Sequence, residues 1–381
     1  MSMVQEKKKH TFSRWFRLCP VRHCLALLGA GLIGAYFILQ GDESLMKAAE
    51  DRIARPYFRA AGRICSVVHF SVAEMIYAVG IAALLLYLTV QVVRIFRRPE
   101  KRKRMYRTAM TFLSIALAFY GLFCMLWGVY YKTADFSEVS GLQDKAVSTD
   151  ELYAVTSYFA ECANTYAEQT QRDENGLFRA DIGELLDQSA TLYGPIVKKY
   201  PCLDGPSLRA KPLIFSKFMS WINFTGFFFP MTGEANLNTD APHCLLPATI
   251  AHELAHQRGV AREDQANFVG VIACLESGKP DYCYSACLLA YIHLENALNQ
   301  TDPARGKEIS QKLSDKVKAD LTANNEYWQA RETAAAAVSK SVYSKFLAGY
   351  GEERGLKSYG ACVDLLVAYY YNAAIAQPGA G

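Results

Sequence analysis

His252-Glu253-Leu254-Ala255-His256 is the stretch on which the reading of this chain turns. Two histidines four residues apart on a helix lie one turn apart on the same face. That spacing lets two imidazoles grip one metal ion, and it places the glutamate beside the first histidine where it can take a proton from water activated by that ion. Pro247 suits the first turn of such a helix and Gly259 suits its stop. Ile250, Ala251, Leu254 and Ala255 give the helix apolar surface to pack. The alternative is a pair of surface histidines on an ordinary helix, so the flanking sequence matters.

Zinc accepts neutral imidazole nitrogen readily, and a catalytic site normally combines three protein ligands with one open position. After Gly259, Arg262-Glu263-Asp264-Gln265-Ala266-Asn267-Phe268 opens a further helix. Folding it back brings an early acid, Glu263 or Asp264, to the metal. The Glu-x-x-Ala-Asn spelling resembles the third-ligand helix of gluzincin peptidases, where the acid lies three before the alanine. That resemblance implies Glu263 as the ligand and leaves Asp264 to capping or support. Asn267, one turn from Glu263, is expected to support the site by hydrogen bonding. The expected set is therefore His252, His256 and Glu263 on Zn2+, with Glu253 as general base. His243 and His293 read as structural or solvated, and Arg258 and Arg262 as helix-end charges. The sequence does not single out an oxyanion donor; Tyr359 is one candidate.

The composition fits a globular protein with membrane segments: 51% hydrophobic and 20% charged over 381 residues. A net charge of +4 hides an asymmetry, because residues 1–131 carry 19 basic and 7 acidic residues against 22 and 30 in the remainder. The basic half coincides with the apolar runs, so its charge reads as membrane topology, and the acidic half argues against nucleic-acid binding. The apolar runs cover about 24–40, 71–93 and 109–131, each near the length of a bilayer span. The first ends in Tyr36-Phe37-Ile38-Leu39-Gln40, with no small-x-small cleavage site, which favours a span over a signal peptide. Between the second and third runs, Arg94 to Arg104 is the densest basic stretch, which the positive-inside rule places in the cytoplasm. The N-terminus is then cytoplasmic, and three crossings put everything after about residue 132 outside. The 41–65 loop is nearly charge-balanced, in agreement with an outer location. The eleven cysteines include no CxxC pair and read mainly as small buried hydrophobes.

Beyond residue 132 the pattern is mainly helical. Helices are expected from Ser148-Thr149-Asp150-Glu151 to about 170, and over 181–199, 247–258, 261–276, 281–299, 303–348 with a break, and 356–373. Phe227-Phe228-Phe229-Pro230 and Glu234-Ala235-Asn236-Leu237-Asn238 read as two short extended pieces joined by Met231-Thr232-Gly233. The fold class that follows is mainly α: a membrane anchor over 1–131 and an extracytoplasmic, α-rich, zincin-like domain with a short β element over 132–381.

Three stretches carry a family resemblance: Phe229 to Asn236, His252 to Gly259, and Arg262 to Phe268. With Gly355-Leu356-Lys357-Ser358-Tyr359-Gly360, they make the chain similar to a bacterial membrane family, domain of unknown function 3810. The resemblance covers most of the chain and implies a zinc-peptidase-like domain on a membrane anchor. It supplies no substrate. The family more often has an acid where this chain has Gln265. The expected function is a membrane-anchored zinc metallopeptidase acting on a peptide or protein substrate at the outer face of the bilayer, with segment 226–238 pairing with substrate as an added strand. The alternative is a non-catalytic zinc-binding sensor or assembly protein on the same scaffold. An intact Glu253 argues against it, because a pure binding site has no need of a base.

Overall fold

The protein is described here by a computed structural model covering residues 15–97, 99–142, 147–350 and 359–376. The chain divides into two compact units, one within 1–56 and 73–133, the other within 57–72 and 134–381. Reading 1–131 as one anchor does not separate Tyr57–Val72, which belong with the second unit.

Three helices are long and apolar enough to cross a membrane: α1 (Pro20–Leu39), α3 (Val72–Arg97) and α4 (Lys101–Leu126). Helix α2 (Arg55–Cys65) lies between the first two. The apolar runs locate these helices but not their ends. Helix α4 begins at Lys101, because lysine and arginine are good helix formers and continue the helix upstream of the apolar run. Trp127 closes it, and Gly128–Lys132 form a 3-10 turn. In the first unit, α1 and α4 pack through glycine. A Cβ at Gly29 would lie 2.5 Å from the Leu117 carbonyl, and one at Gly121 would lie 2.9 Å from the Gly29 carbonyl. Small residues allow such backbone approach between apolar helices. Tyr36 donates to the Gly128 carbonyl at 3.0 Å. The stretch expected as a loop over 41–65 is largely helical, with Glu43–Ala49 and a π-helical turn Glu50–Ala54 running into α2.

The second unit is built from α5 (Thr149–Ala167), a small sheet, and a run of helices: α6 (Ser216–Trp221), α7 (Leu246–Gln257), α8 (Glu263–Ser277), α9 (Pro280–Thr301), α10 (Asp315–Gln329), α11 (Ala334–Gly349) and α12 (Tyr359–Ile375). Ser148 and Glu151 form the expected start of α5 as a reciprocal capping box. The helix expected over 181–199 is two, Ile182–Ser189 and Gly194–Lys199, because Pro195 opens a helix and cannot sit inside one. The stretch 303–348 breaks twice, the first helix being Pro303–Lys312. Residues 355–358 of the family stretch lie outside the described residues. The core joins α5, α7, α8, α9 and α12, with Phe159 edge-on to Tyr370 at 5.0 Å. All eleven cysteines are free thiols, seven of them buried.

The sheet has the order β1-β3-β2, with β1 Lys211–Pro212, β2 Gly226–Phe229 and β3 Glu234–Leu237. Strands β2 and β3 form the expected extended pair, antiparallel, with Gly226 opposite Leu237 and Phe229 opposite Glu234. Gly233 has φ 65°, and the Cβ of another residue there would meet the Phe58 carbonyl at 2.6 Å. The two-residue β1, parallel to β3, was beyond a pattern reading.

A buried ion pair fixes this sheet. Lys211 Nζ lies 2.6 Å from Glu234 Oε1 and donates to the Cys65 carbonyl at 2.5 Å. The same Glu234 oxygen accepts the Val72 N–H at 3.1 Å. Removing one member of a buried pair strands the other charge. Lys211→Met is expected to lower stability by about 3–5 kcal/mol, and Lys211→Met/Glu234→Gln by clearly less. Thermal unfolding of the detergent-purified chain checks the order; equal losses in the two variants would contradict it.

Candidate metal centre

Helix α7 carries the site. Pro247 lies in its first turn, as expected, and Gly259 follows its end with φ 92°. That left-handed conformation, which glycine adopts without strain, turns the chain back on the helix. Val260 N–H then bonds the Ala255 carbonyl at 3.1 Å, and the Val260 carbonyl lies 2.7 Å from His256 Nδ1. The carbonyl can only accept, so Nδ1 bears the proton and Nε2 of the neutral ring keeps a lone pair facing the site.

Helix α8 crosses α7 closely at Gly270, where a Cβ would lie 3.1 Å from the His252 backbone nitrogen. Gly270 is two turns beyond Glu263 on the same helix face. The crossing brings the Glu263 carboxylate within 3.2 Å of His252 Nε2 and 3.5 Å of His256 Nε2. The two Nε2 atoms are 3.0 Å apart. His252, His256 and Glu263 thus form a group with the donor atoms and spacing to hold a metal ion, all within 4.8 Å of one another. Among the described residues His252 Nδ1 is buried without a hydrogen-bond partner.

Glu253 is buried against β2. A Cβ at Gly226 would lie 2.8 Å from the Asn236 carbonyl and 3.0 Å from Glu253 Oε1, so glycine lets the strand sit close to both. The Phe228 backbone N–H bonds the Glu253 carboxylate, while Oε2 has no partner among the described residues. Burial raises the Glu253 pKa above the usual carboxylate range, and the two imidazoles pull it the other way. For Glu263 burial also acts upward, but the imidazoles prevail and hold it well below that range. Burial opposes charge on His256, yet Glu263 outweighs it and lifts the ring to about 9.

This chain belongs to the family described as protein of unknown function (DUF3810), whose model matches residues 53–367. The match includes α3, α4 and the whole site, but not α1. No curated protein and no solved structure matches the chain.

The remaining sequence expectations for this DUF3810 protein divide. Asp264 turns from the site and accepts the Gln265 N–H at 2.8 Å. Gln265 accepts the Phe136 N–H at 2.9 Å, a structural tie. Asn267 makes no side-chain hydrogen bond among the described residues, so the expected support comes instead from the Val260 carbonyl. His243 accepts the Ala180 N–H at 3.2 Å and is structural. His293 is buried; burial, then the charge of His252, lowers it to about 4. Arg262 pairs with Asp135 at 3.1 Å. Arg258 is no solvated helix-end charge: it is buried over the Tyr193 ring, 4.1 Å from its centroid, and donates to the Leu254 and Pro206 carbonyls. The side chain of Tyr359 lies outside the described residues. Sequence reasoning missed Tyr343 of α11, whose hydroxyl donates to Glu263 Oε1 at 2.5 Å. No local motif marks it, since 80 residues separate the pair.

Gly259→Ala and Gly278→Ala both force alanine into left-handed backbone, but only Gly259 controls His256 through Val260. Gly259→Ala is expected to weaken metal binding by about 10–100-fold, with Gly278→Ala close to wild type. Metal titration of the purified protein checks this, and equal affinities in the two variants would contradict it.

Proposed function

We propose that the chain is a membrane-anchored, zincin-like zinc metallopeptidase. The observation that carries this is the convergence of His252, His256 and Glu263 beside a separate buried carboxylate, Glu253. Their separations of 3.0, 3.2 and 3.5 Å fit the donor set. A tetrahedron with zinc–ligand distances of about 2.0–2.1 Å has edges of about 3.3–3.4 Å. Two nitrogens and one carboxylate oxygen are the donors of a known catalytic zinc set with one open position.

Zinc, when bound, polarises a carbonyl and makes water acidic enough to be a nucleophile near neutral pH. Glu253 has the position and the raised pKa to take a proton from the attacking water and pass it to the leaving amine. The Phe228 N–H fixes the carboxylate that does this. Strand β2 is the sheet edge beside Glu253 and offers a place for a substrate backbone to add as a strand. Tyr343 donates its hydroxyl proton to the ligand carboxylate and so orients Glu263. The basic Arg94–Arg104 stretch supports a cytoplasmic N-terminus, with the metal centre on the extracytoplasmic face of the cell membrane.

Glu253→Gln should keep about one zinc per chain and lower peptide-library hydrolysis by about 10²–10⁴-fold. His252→Ala should lose the metal as well. Full hydrolysis by Glu253→Gln would remove Glu253 from the mechanism. In a variant whose eleven native cysteines are replaced by serine or alanine, a cysteine placed at Lys101 is expected to resist impermeant maleimide in intact cells; labelling from outside would invert the topology.

A further inference from the structure

Helix α6 is amphipathic in the wrong sense for water. Its polar residues point inward: Ser216 Oγ accepts the Thr239 N–H at 3.0 Å and donates to the Leu213 carbonyl at 2.8 Å. Ser220 Oγ accepts from Asn238 Nδ2 at 2.9 Å and from the Tyr327 hydroxyl at 2.8 Å. Its aromatics point outward, with Phe218 54% and Trp221 49% exposed and their rings 5.9 Å apart. A soluble domain normally arranges such a helix the other way round, and contiguous exposed aromatic surface marks a binding face.

The second unit exposes more apolar surface at the end of α2 and in the turn after it, where Ile64 is 74%, Val67 81% and Phe70 44% exposed. This turn is joined to the start of an apolar helix. Phe70 precedes Val72, the first residue of α3, by two residues, about 7 Å of chain at most. Helix α3 has 26 residues. At about 1.5 Å per residue it is about 39 Å long, enough for a hydrocarbon core of about 30 Å with some excess. Arg94 and Arg97 occupy its last turn, where the excess falls in polar surroundings. Val72 then stands at the opposite border of the hydrocarbon and Phe70 in the interfacial layer. The turn and α6 belong to one rigid framework. Lys211 Nζ binds the Cys65 carbonyl and Glu234, Glu234 binds Val72, and the Leu213 N–H that leads into α6 bonds the Leu237 carbonyl at 3.0 Å.

We propose that α6 and the Ile64–Phe70 turn form a second membrane contact, with Phe218 and Trp221 seated among the lipid headgroups and upper acyl chains. Bulky aromatic side chains, tryptophan above all, favour that layer. Lys217, exposed between the buried serines, reaches the phosphates. The occupant is lipid because Phe70 lies two residues from the apolar helix α3, and the same Lys211–Glu234 bonds hold this turn and the strand that leads into α6. The inference rests on α3 crossing the membrane and is independent of metal binding and hydrolysis.

The test uses the full chain in nanodiscs that contain phosphatidylcholine brominated either high on the acyl chain or near its end. With Trp15, Trp127 and Trp328 replaced by phenylalanine, the chain should still lose tryptophan emission to bromolipid, more with the shallow label, and Trp221→Phe alone should remove the Trp221 share of the wild-type quenching. Phe218→Trp adds an indole to the same face and should gain shallow quenching, which guards against a folding defect in the first variant. Equal quenching of wild type and Trp221→Phe, with acrylamide reaching Trp221 as freely in nanodiscs as in detergent, would overturn the proposal. So would its release from membranes by alkaline carbonate, which would show that α3 does not cross; retention with an unquenched Trp221 would reject the α6 contact alone.

Discussion

Helix α7 is buried along almost its whole length and yet carries His252, Glu253, His256 and Gln257, with Arg258 at its end. A buried polar group without a partner is destabilising, and a buried charge more so. That constraint organises the second unit, because each surrounding element meets one of these groups. The Gly259 turn supplies the Val260 carbonyl to His256, β2 supplies the Phe228 N–H to Glu253, and the β2–β3 turn supplies the Gly233 carbonyl to Gln257 at 2.8 Å. Tyr193 places its ring against Arg258 and its hydroxyl on the Ala251 carbonyl at 2.6 Å. Helix α8 brings Glu263, and α9 caps the start of α7 through Ser285 Oγ, which accepts the Ala248 N–H at 3.0 Å. The framework of the site and the framework of the fold are largely the same bonds.

Much of this was legible in the sequence where the determinant is local. Pro247 and Gly259 delimit α7, and Glu263 sits at the start of the next helix, so both features are written within a few residues of each other. The β2–β3 pair shows through its phenylalanines and Gly233. Long apolar runs announce α1, α3 and α4, although basic residues extend α4 upstream without an apolar signal. What stayed hidden depends on distant partners. Strand β1 is two residues long and exists by pairing with β3. Arg258 is buried because Gly205 leaves room, a Cβ there meeting its Cγ at 2.6 Å, and because Tyr193 offers a ring. Tyr343 reaches Glu263 from a helix with no motif of its own. Asn267 illustrates the converse: correct helical spacing from Glu263 did not bring it a bond at the site.

The three-way junction at Glu234 gives residues 57–72 their place in the second unit. Helix α2 packs Phe58 edge-on to Phe228 at 5.2 Å, Gly62 lies against Gly233, and Cys65 and Val72 are held by Lys211 and Glu234. A stretch that charge balance alone marks as an outer loop is therefore a supporting layer of the sheet. The family match begins at residue 53, just before this layer, so α2 and the sheet lie together inside the common body of the family.

The pairing of Gly226 with Leu237 also has a meaning in terms of register. Side chains of a strand alternate between faces, so a slip of one residue reverses every one of them. Moving β2 by one position would put Thr225 or Phe227 where Gly226 now meets Glu253, and would swing the Phe228 N–H away from the carboxylate. Strand alignment thereby bears on the surroundings of the Glu253 carboxylate. The missing side chain at 226 is what lets β2 sit in this register, close to both the Asn236 carbonyl and Glu253.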